Sequence, residues 1–270
     1  MEAIQQDKPL AELTRADART FRDFLRQRSL AVATVNKYVK LVATIWKVAA
    51  QDIELATANP FKGLSSVDPT PEREKRDLLT VGELSALLKR RGTMNAQLST
   101  ILTLLAYTGA RTNEIAGLCL ADIVIKDGPD NISEIIIRPN SLRFLKNHSS
   151  RRTIPLLGEA LAMVKILITE RTKVSGVALF ERYGRGGGET AVSAALMKNL
   201  RAAGIIGRTK AIHSLRHTIK QALRDVECPK DVSDAIQGHS SGSVSDNYGR
   251  GYSVKVMARW LRKAYKIIGL

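Results

Sequence analysis

Four separated stretches gather residue types that bind anions or move protons. In "HSLRHTIKQALRD", residues 213 to 225, His213, Arg216 and His217 fall within five positions at the head of an amphipathic pattern, in a chain with only four histidines. In "AYTGARTNEIAGL" an apolar helix stops at Gly109, and Arg111 opens the next helix with Glu114 one turn on. A cation at a helix N-terminus opposes the macrodipole, so a group outside the helix should need that charge; a plain Arg111–Glu114 surface pair is the alternative. "SLRFLKNHSSRRTIPL" puts Lys146 in a basic turn between expected strands, where a lysine either enters a groove or is simply solvated. "IQGHSSGSVSDNYGRGY" sets Tyr248 nine residues after His239 in a Ser- and Gly-rich segment, where a lone tyrosine is ordinarily a surface aromatic.

Other motifs lead nowhere. Gly186, Gly188 and Ala191 in "GRGGGETAVSAALMKNL" have dinucleotide-fingerprint spacing after a strand-like run at Val177 to Phe180. The acidic residue such a fingerprint needs further on is replaced by "RTKAIHSLRH". A loop before a helix is the better reading. His213 and His217 share a helix face as in HExxH zinc sites, but no glutamate stands between them, and Arg216, a cation between two ligands, repels a metal. Cys119 and Cys228 form no CxxC and read as reduced, buried residues rather than a disulfide or zinc framework. Neither a metal nor another cofactor is expected.

Composition narrows the partner. The chain of 270 residues is 44% hydrophobic and 25% charged, as in an ordinary globular protein, but its net charge is +16. Residues 1–70 hold 10 Lys and Arg against 8 Asp and Glu, which leaves 32 against 18 for residues 71–270. An excess of +14 in the larger part points to a polyanion, nucleic acid before an anionic membrane. No apolar run approaches the roughly 20 residues of a membrane span, and no signal segment opens the chain, so a cytoplasmic protein is expected.

These residues must be positioned by elements legible in the apolar spacing. Thr14 can cap a helix carrying Phe21, Phe24 and Leu25, and a second helix carries Val35, Val39, Val42, Trp46 and Ala49. "NPFKGL" ends that pattern, "SSVDPTPEREKRD" reads as a linker, and Thr80 with Glu83 restarts structure with a capping box. Helices follow near 81–91, 95–108, 112–119, 157–171, 190–203, 213–225, 230–237 and 253–267. Short β-prone runs lie at Ile123 to Ile125, Ile135 to Ile137 and Thr153 to Ile154. The expected fold is mostly α within the α+β class: a helical domain over 1–66, a linker over 67–78, and a larger, mainly helical domain with a small antiparallel sheet over 79–270. The last helix presents Val256, Trp260, Tyr265 and Ile267 for packing in its own core or on a neighbouring protomer.

Together, and in this order, the four stretches resemble the catalytic boxes of the tyrosine recombinase family, the phage integrases and Xer-type enzymes, over Leu79 to Ile267. Arg111 with Glu114 resembles the first box, Lys146 the hairpin lysine, "HSLRH" the second arginine box, and "GHSS" followed by Tyr248 the last. The resemblance implies that Arg111 and Arg216 fork around a DNA phosphate, that Tyr248 attacks it, and that Lys146 protonates the leaving 5′ oxygen. It also implies that His213 moves a proton to or from Tyr248, that His239 hydrogen-bonds the phosphate, and that Glu114 orients the arginines. His217 more naturally braces the site. A tyrosine with a reference pKa of about 10 is a poor nucleophile near neutrality, so arginines that neutralise the phosphodiester would serve where other enzymes use a divalent ion. The implied product is a 3′-phosphotyrosyl link.

The partners implied are double-stranded DNA and further copies of the chain, as a homotetramer on paired sites and a monomer in free solution, with a nucleoid location when DNA-bound. Residues 1–63 match only the second half of the family's helical core-binding domain, and no arm-type domain is expected. The competing functions are a topoisomerase-like nicking and resealing enzyme and a DNA-binding module without catalysis.

Overall fold

A computed structural model describes residues 7–67, 77–128, 131–145, 150–171, 176–207, 209–239 and 251–270. The chain divides into two compact units, Met1–Lys75 and Arg76–Leu270.

In the first unit, helix α1 (Arg15–Gln27) begins with a capping box: the Asp17 amide donates to Thr14 Oγ1, and the Thr14 amide donates back to the Asp17 carboxylate. Helix α2 (Val32–Asp52) buries Val35, Val39 and Trp46 against Ala18 and Leu25. The "NPFKGL" stretch does more than end this helix. Asn59 donates to the Ala43 carbonyl at 2.8 Å and accepts from the Phe61 amide at 2.9 Å. The chain is thereby turned back, so that Phe61 and Leu64 complete the core, with the Phe61 and Phe21 rings edge to face at 6.2 Å.

The second unit is built around α4 (Ala96–Thr108), which is buried on every side from Leu98 to Thr108 and is therefore apolar all round rather than striped. Helix α3 (Val81–Lys89) starts at the expected Thr80–Glu83 capping box. Helix α5 (Thr112–Ala116) is shorter than its apolar pattern and stops at Gly117, where a Cβ would lie 2.7 Å from that of Arg143. A three-stranded antiparallel sheet follows in the order β1 (Ile123–Val124), β2 (Glu134–Ile137), β3 (Arg152–Pro155). The first strand loses Ile125 because the chain turns there, the Lys126 amide donating to Ser133 Oγ.

Helices α6 (Gly158–Arg171), α7 (Gly188–Ala202), α8 (His213–Asp225), α9 (Lys230–Gln237) and α10 (Val254–Ile268) complete the unit. Val177 to Phe180 forms only an isolated bridge from Ala178 to Cys119, so no dinucleotide-type strand precedes α7. Gly188 instead packs against the Tyr183 backbone, where a Cβ would meet the carbonyl oxygen at 1.7 Å.

Helix α10 packs in its own unit, against α8 and β3. Its inward face is Met257, Ala258, Leu261, Ala264, Tyr265 and Ile268. Of the larger apolar residues read from the sequence, Tyr265 is buried, its hydroxyl donating to the Tyr107 carbonyl at 2.7 Å, while Ile267 is exposed. Trp260 lies at the margin, with the Lys263 ammonium 4.4 Å from its ring centre.

Candidate active site

Helix α4 ends in the left-handed turn at Gly109, with φ of 62°. Only glycine fits: a Cβ there would lie 2.7 Å from Gln237 Nε2 and 3.1 Å from the Ile219 side chain. The tight turn delivers two groups to one place. Its carbonyl accepts from Arg216 Nη1 at 2.8 Å, and two residues later Arg111 caps α5.

Arg111 is fixed by Glu114, whose carboxylate accepts from the Arg111 amide at 2.8 Å and from Arg111 Nη1 at 2.7 Å. Glu114 is almost wholly buried, and a buried carboxylate needs more than one partner. Arg152, opening β3, supplies the second by donating Nη2 to Oε2 at 2.8 Å and Nη1 to Oε1 at 3.2 Å. Burial alone would raise the Glu114 pKa; the Arg152 hydrogen bonds and charge, then those of Arg111, hold it down to about 2. Arg152 also donates to the Ile236 and Ser150 carbonyls, tying β3 to the end of α9.

Arg216 projects from the first turn of α8 and is buried. It donates to the carbonyls of Gly109 and Gln237, and its Nη2 lies 3.1 Å from His239 Nε2. Burial and the nearby Arg111 and Arg152 lower its pKa to about 9, which leaves it charged at neutral pH. A guanidinium and an ammonium only donate, so both ring nitrogens of His239 face a donor, and a neutral ring accepts from one of the two at a time. Asp234 Oδ1 lies 3.7 Å from Nδ1 and Lys220 Nζ 3.3 Å. Burial, then the Arg216 and Lys220 charges, lower the His239 pKa to about 4, so the ring is neutral at pH 7.

The structure thus brings Arg111, Glu114, Arg216 and His239 into one hydrogen-bonded cluster. His213 is exposed at the start of α8, and its ring meets that of the half-buried His217 edge to face at 4.8 Å. Lys146 and Tyr248 lie outside the described residues. Sequence reasoning missed Arg152 and Lys220. Arg152 stands among the basic residues of "SSRRTIPL", and only its place on a strand directed at Glu114 separates it from its exposed neighbour Arg151. Lys220 lies one helical turn beyond Arg216, a spacing that could have marked it.

A half-buried Arg111 and a buried Arg216 meet beside the end of α4, with a histidine on the second arginine, an arrangement that can hold an anionic oxygen. The signature of the phage integrase family matches residues 78–253. The chain belongs to that family, the tyrosine-type site-specific recombinases. Sequence comparison with curated proteins gives no match.

Solved structures share the fold. A lambda integrase(75–356) dimer bound to a COC′ core site is 16% identical, with a TM-score of 0.64 over 94% of this chain and 88% of that one. The Tn1549 transposon integrase (residues 82–397) in complex with circular intermediate DNA is 20% identical, with a TM-score of 0.65 over 96% and 89%. XerH recombinase bound to palindromic difH substrate is 16% identical, with a TM-score of 0.66 over 100% and 75%. Among the described residues no helix is long and apolar enough to cross a membrane.

Proposed function

We propose that the chain cleaves and rejoins duplex DNA at specific sites through a covalent bond between Tyr248 and a 3′ phosphate, with Arg111, Lys146, His213, Arg216 and His239 as the other catalytic residues. The observation that carries this reading is the common anchoring of the two arginines, Arg216 on the carbonyl of Gly109 and Arg111 two residues beyond it on Glu114. Arg111 and Arg152 share the Glu114 carboxylate while Arg216 is held by carbonyls, so these four groups together keep two positive charges. A phosphodiester brings one negative charge, and the excess favours the further charge that gathers on the nonbridging oxygens in the transition state.

In the forward step the Tyr248 phenol gives its proton to His213, and its oxygen bonds to phosphorus. The bond from phosphorus to the 5′ oxygen breaks, and Lys146 protonates that oxygen. A 5′ hydroxyl from another strand reverses the sequence and releases Tyr248, so the phosphodiester energy is kept without ATP. His239 donates to a phosphate oxygen through Nε2. That tautomer leaves Nδ1 as the acceptor, and Lys220, 3.3 Å away, supports it by donating to Nδ1. Glu114 and His217 position these groups without touching DNA.

The first unit supplies part of the helical core-binding domain. Lys37, Lys40 and Lys47 along one exposed side of α2 support contact with phosphates. The working assembly is a homotetramer on two DNA sites, in the cytoplasm at the nucleoid. The test is incubation with nicked suicide duplexes drawn from the sequences beside its own gene, in excess EDTA. An adduct of protein and DNA that survives denaturing detergent is expected; cleavage only with magnesium would indicate a nuclease.

A further inference from the structure

Phe144 is 91% exposed, while the residues around it are tied down. Arg143, just before it, is buried: Nε donates to the Arg138 carbonyl at 3.1 Å, Nη2 pairs with Asp122 at 3.2 Å, and Nη1 donates to the Glu114 carbonyl. Leu145, just after it, packs against the core. Asn140 closes the turn below by accepting from the Leu142 and Arg143 amides, and it donates to Gly117 and Asp122. The phenyl ring thus projects into solvent from a turn braced by Arg143 and Asn140. It is also in fixed register with the arginine cluster, because Arg143 grips the main chain of the same Glu114 whose carboxylate holds Arg111.

What meets the ring must be aromatic or apolar, yet lie where cations gather. Arg143 and the half-exposed Arg138, whose carbonyl accepts from Arg143, stand at the turn, and Phe144 has no polar atom to offer a phosphate or a sugar. Stacked bases inside a phosphate-lined duplex have both properties. Resting on the recombinase reading, we propose that Phe144 is an apolar wedge that enters the duplex at the base step beside the phosphate held by Arg111 and Arg216 and unstacks it. The contact reads deformability rather than base edges. Pyrimidine–purine steps open most easily, so they are favoured at that position without any hydrogen bond to a base.

The test begins with protein-linked DNA recovered from a randomised duplex library, followed by 2-aminopurine placed at the step beside the linked phosphate. Wild-type binding should raise its fluorescence, and selected sites should carry a pyrimidine–purine step. The exposed Phe144→Ala variant should keep its melting temperature and bind mixed-sequence duplex within about twofold, yet cleave at least about tenfold more slowly without the fluorescence rise. Phe144→Trp should restore both. The wedge is overturned if the alanine variant unstacks and cuts like wild type. It is equally overturned if that variant loses only the paired two-duplex complex, which would make Phe144 a contact between protein copies. Linkage by the wild type with no fluorescence change leaves the active-site reading standing and removes the wedge alone; no linkage by the wild type removes both.

Discussion

The two arginines of the site are held by opposite means. Arg111, at the start of α5, is fixed by charge: a buried carboxylate grips it, and Arg152 on β3 in turn grips the carboxylate. Arg216, in the first turn of α8, is fixed by main-chain geometry, on the carbonyls that end α4 and α9. Charge holds a side chain through a partner that can be protonated or mutated, whereas carbonyls belong to the fold. Arg111 can therefore be loosened through Glu114, while Arg216 can be lost only by changing Arg216 itself.

The largest effect should come from Arg216→Lys. An ammonium cannot reach two carbonyls and His239 while still addressing the phosphate, and single-turnover adduct formation should fall by about a thousandfold, as when an oxyanion donor is removed. Retention of more than a tenth of the rate would mean that the carbonyl pair does not set the geometry.

Glu114→Gln should come next, and as a stability effect. Removing the charge leaves Arg152 and Arg111 without their buried partner, at a cost of about 3 kcal/mol in urea unfolding. The Glu114 carboxyl is lowered in the fold from an ordinary value of 4.5 to about 2. A depressed carboxylate stabilises the fold above its unfolded pKa and loses that contribution as pH falls through the folded one. The gap between wild type and variant should therefore be full above about pH 4.5 and shrink towards pH 2. A gap independent of pH would break the contrast between the two arginines.

His239→Asn should give the smallest change, again in the pH dependence of stability. The folded ring titrates at about 4 against an ordinary 6.5, so the unfolded chain binds the extra proton between those values. Stability from this residue is present above pH 6.5 and is lost as pH falls towards 4. Melting temperatures from pH 7 to pH 4 should drop less steeply for the variant. Equal slopes would place the ring in water rather than against Arg216.

Local signals made the Arg111 side legible and left its support hidden. Arg111 with Glu114 is a spacing of three on one short helix, and His213 with Arg216 is another, so both can be read along the chain. Arg152 reaches Glu114 across 38 positions, and no periodicity announces such a pair. The helices carrying the site emerged close to their expected bounds because their apolar spacing is strong. Helix α10 kept its span, but which of its apolar residues are buried was not legible: Ala258 and Ala264 are buried, while Trp260 lies at the margin and Ile267 is exposed. Phe61 likewise looked like the end of a helix, and it became core through a turn made by Asn59.

In the proposed reaction the arginine cluster serves a tyrosine that becomes bonded to DNA. Peptide mapping of the adduct formed on a suicide duplex tests it most directly. The account predicts a nucleotide-bearing peptide modified at Tyr248, and no adduct from Tyr248→Phe although that variant still binds duplex DNA. A linkage at another side chain, or cut strands that carry no protein, would contradict it.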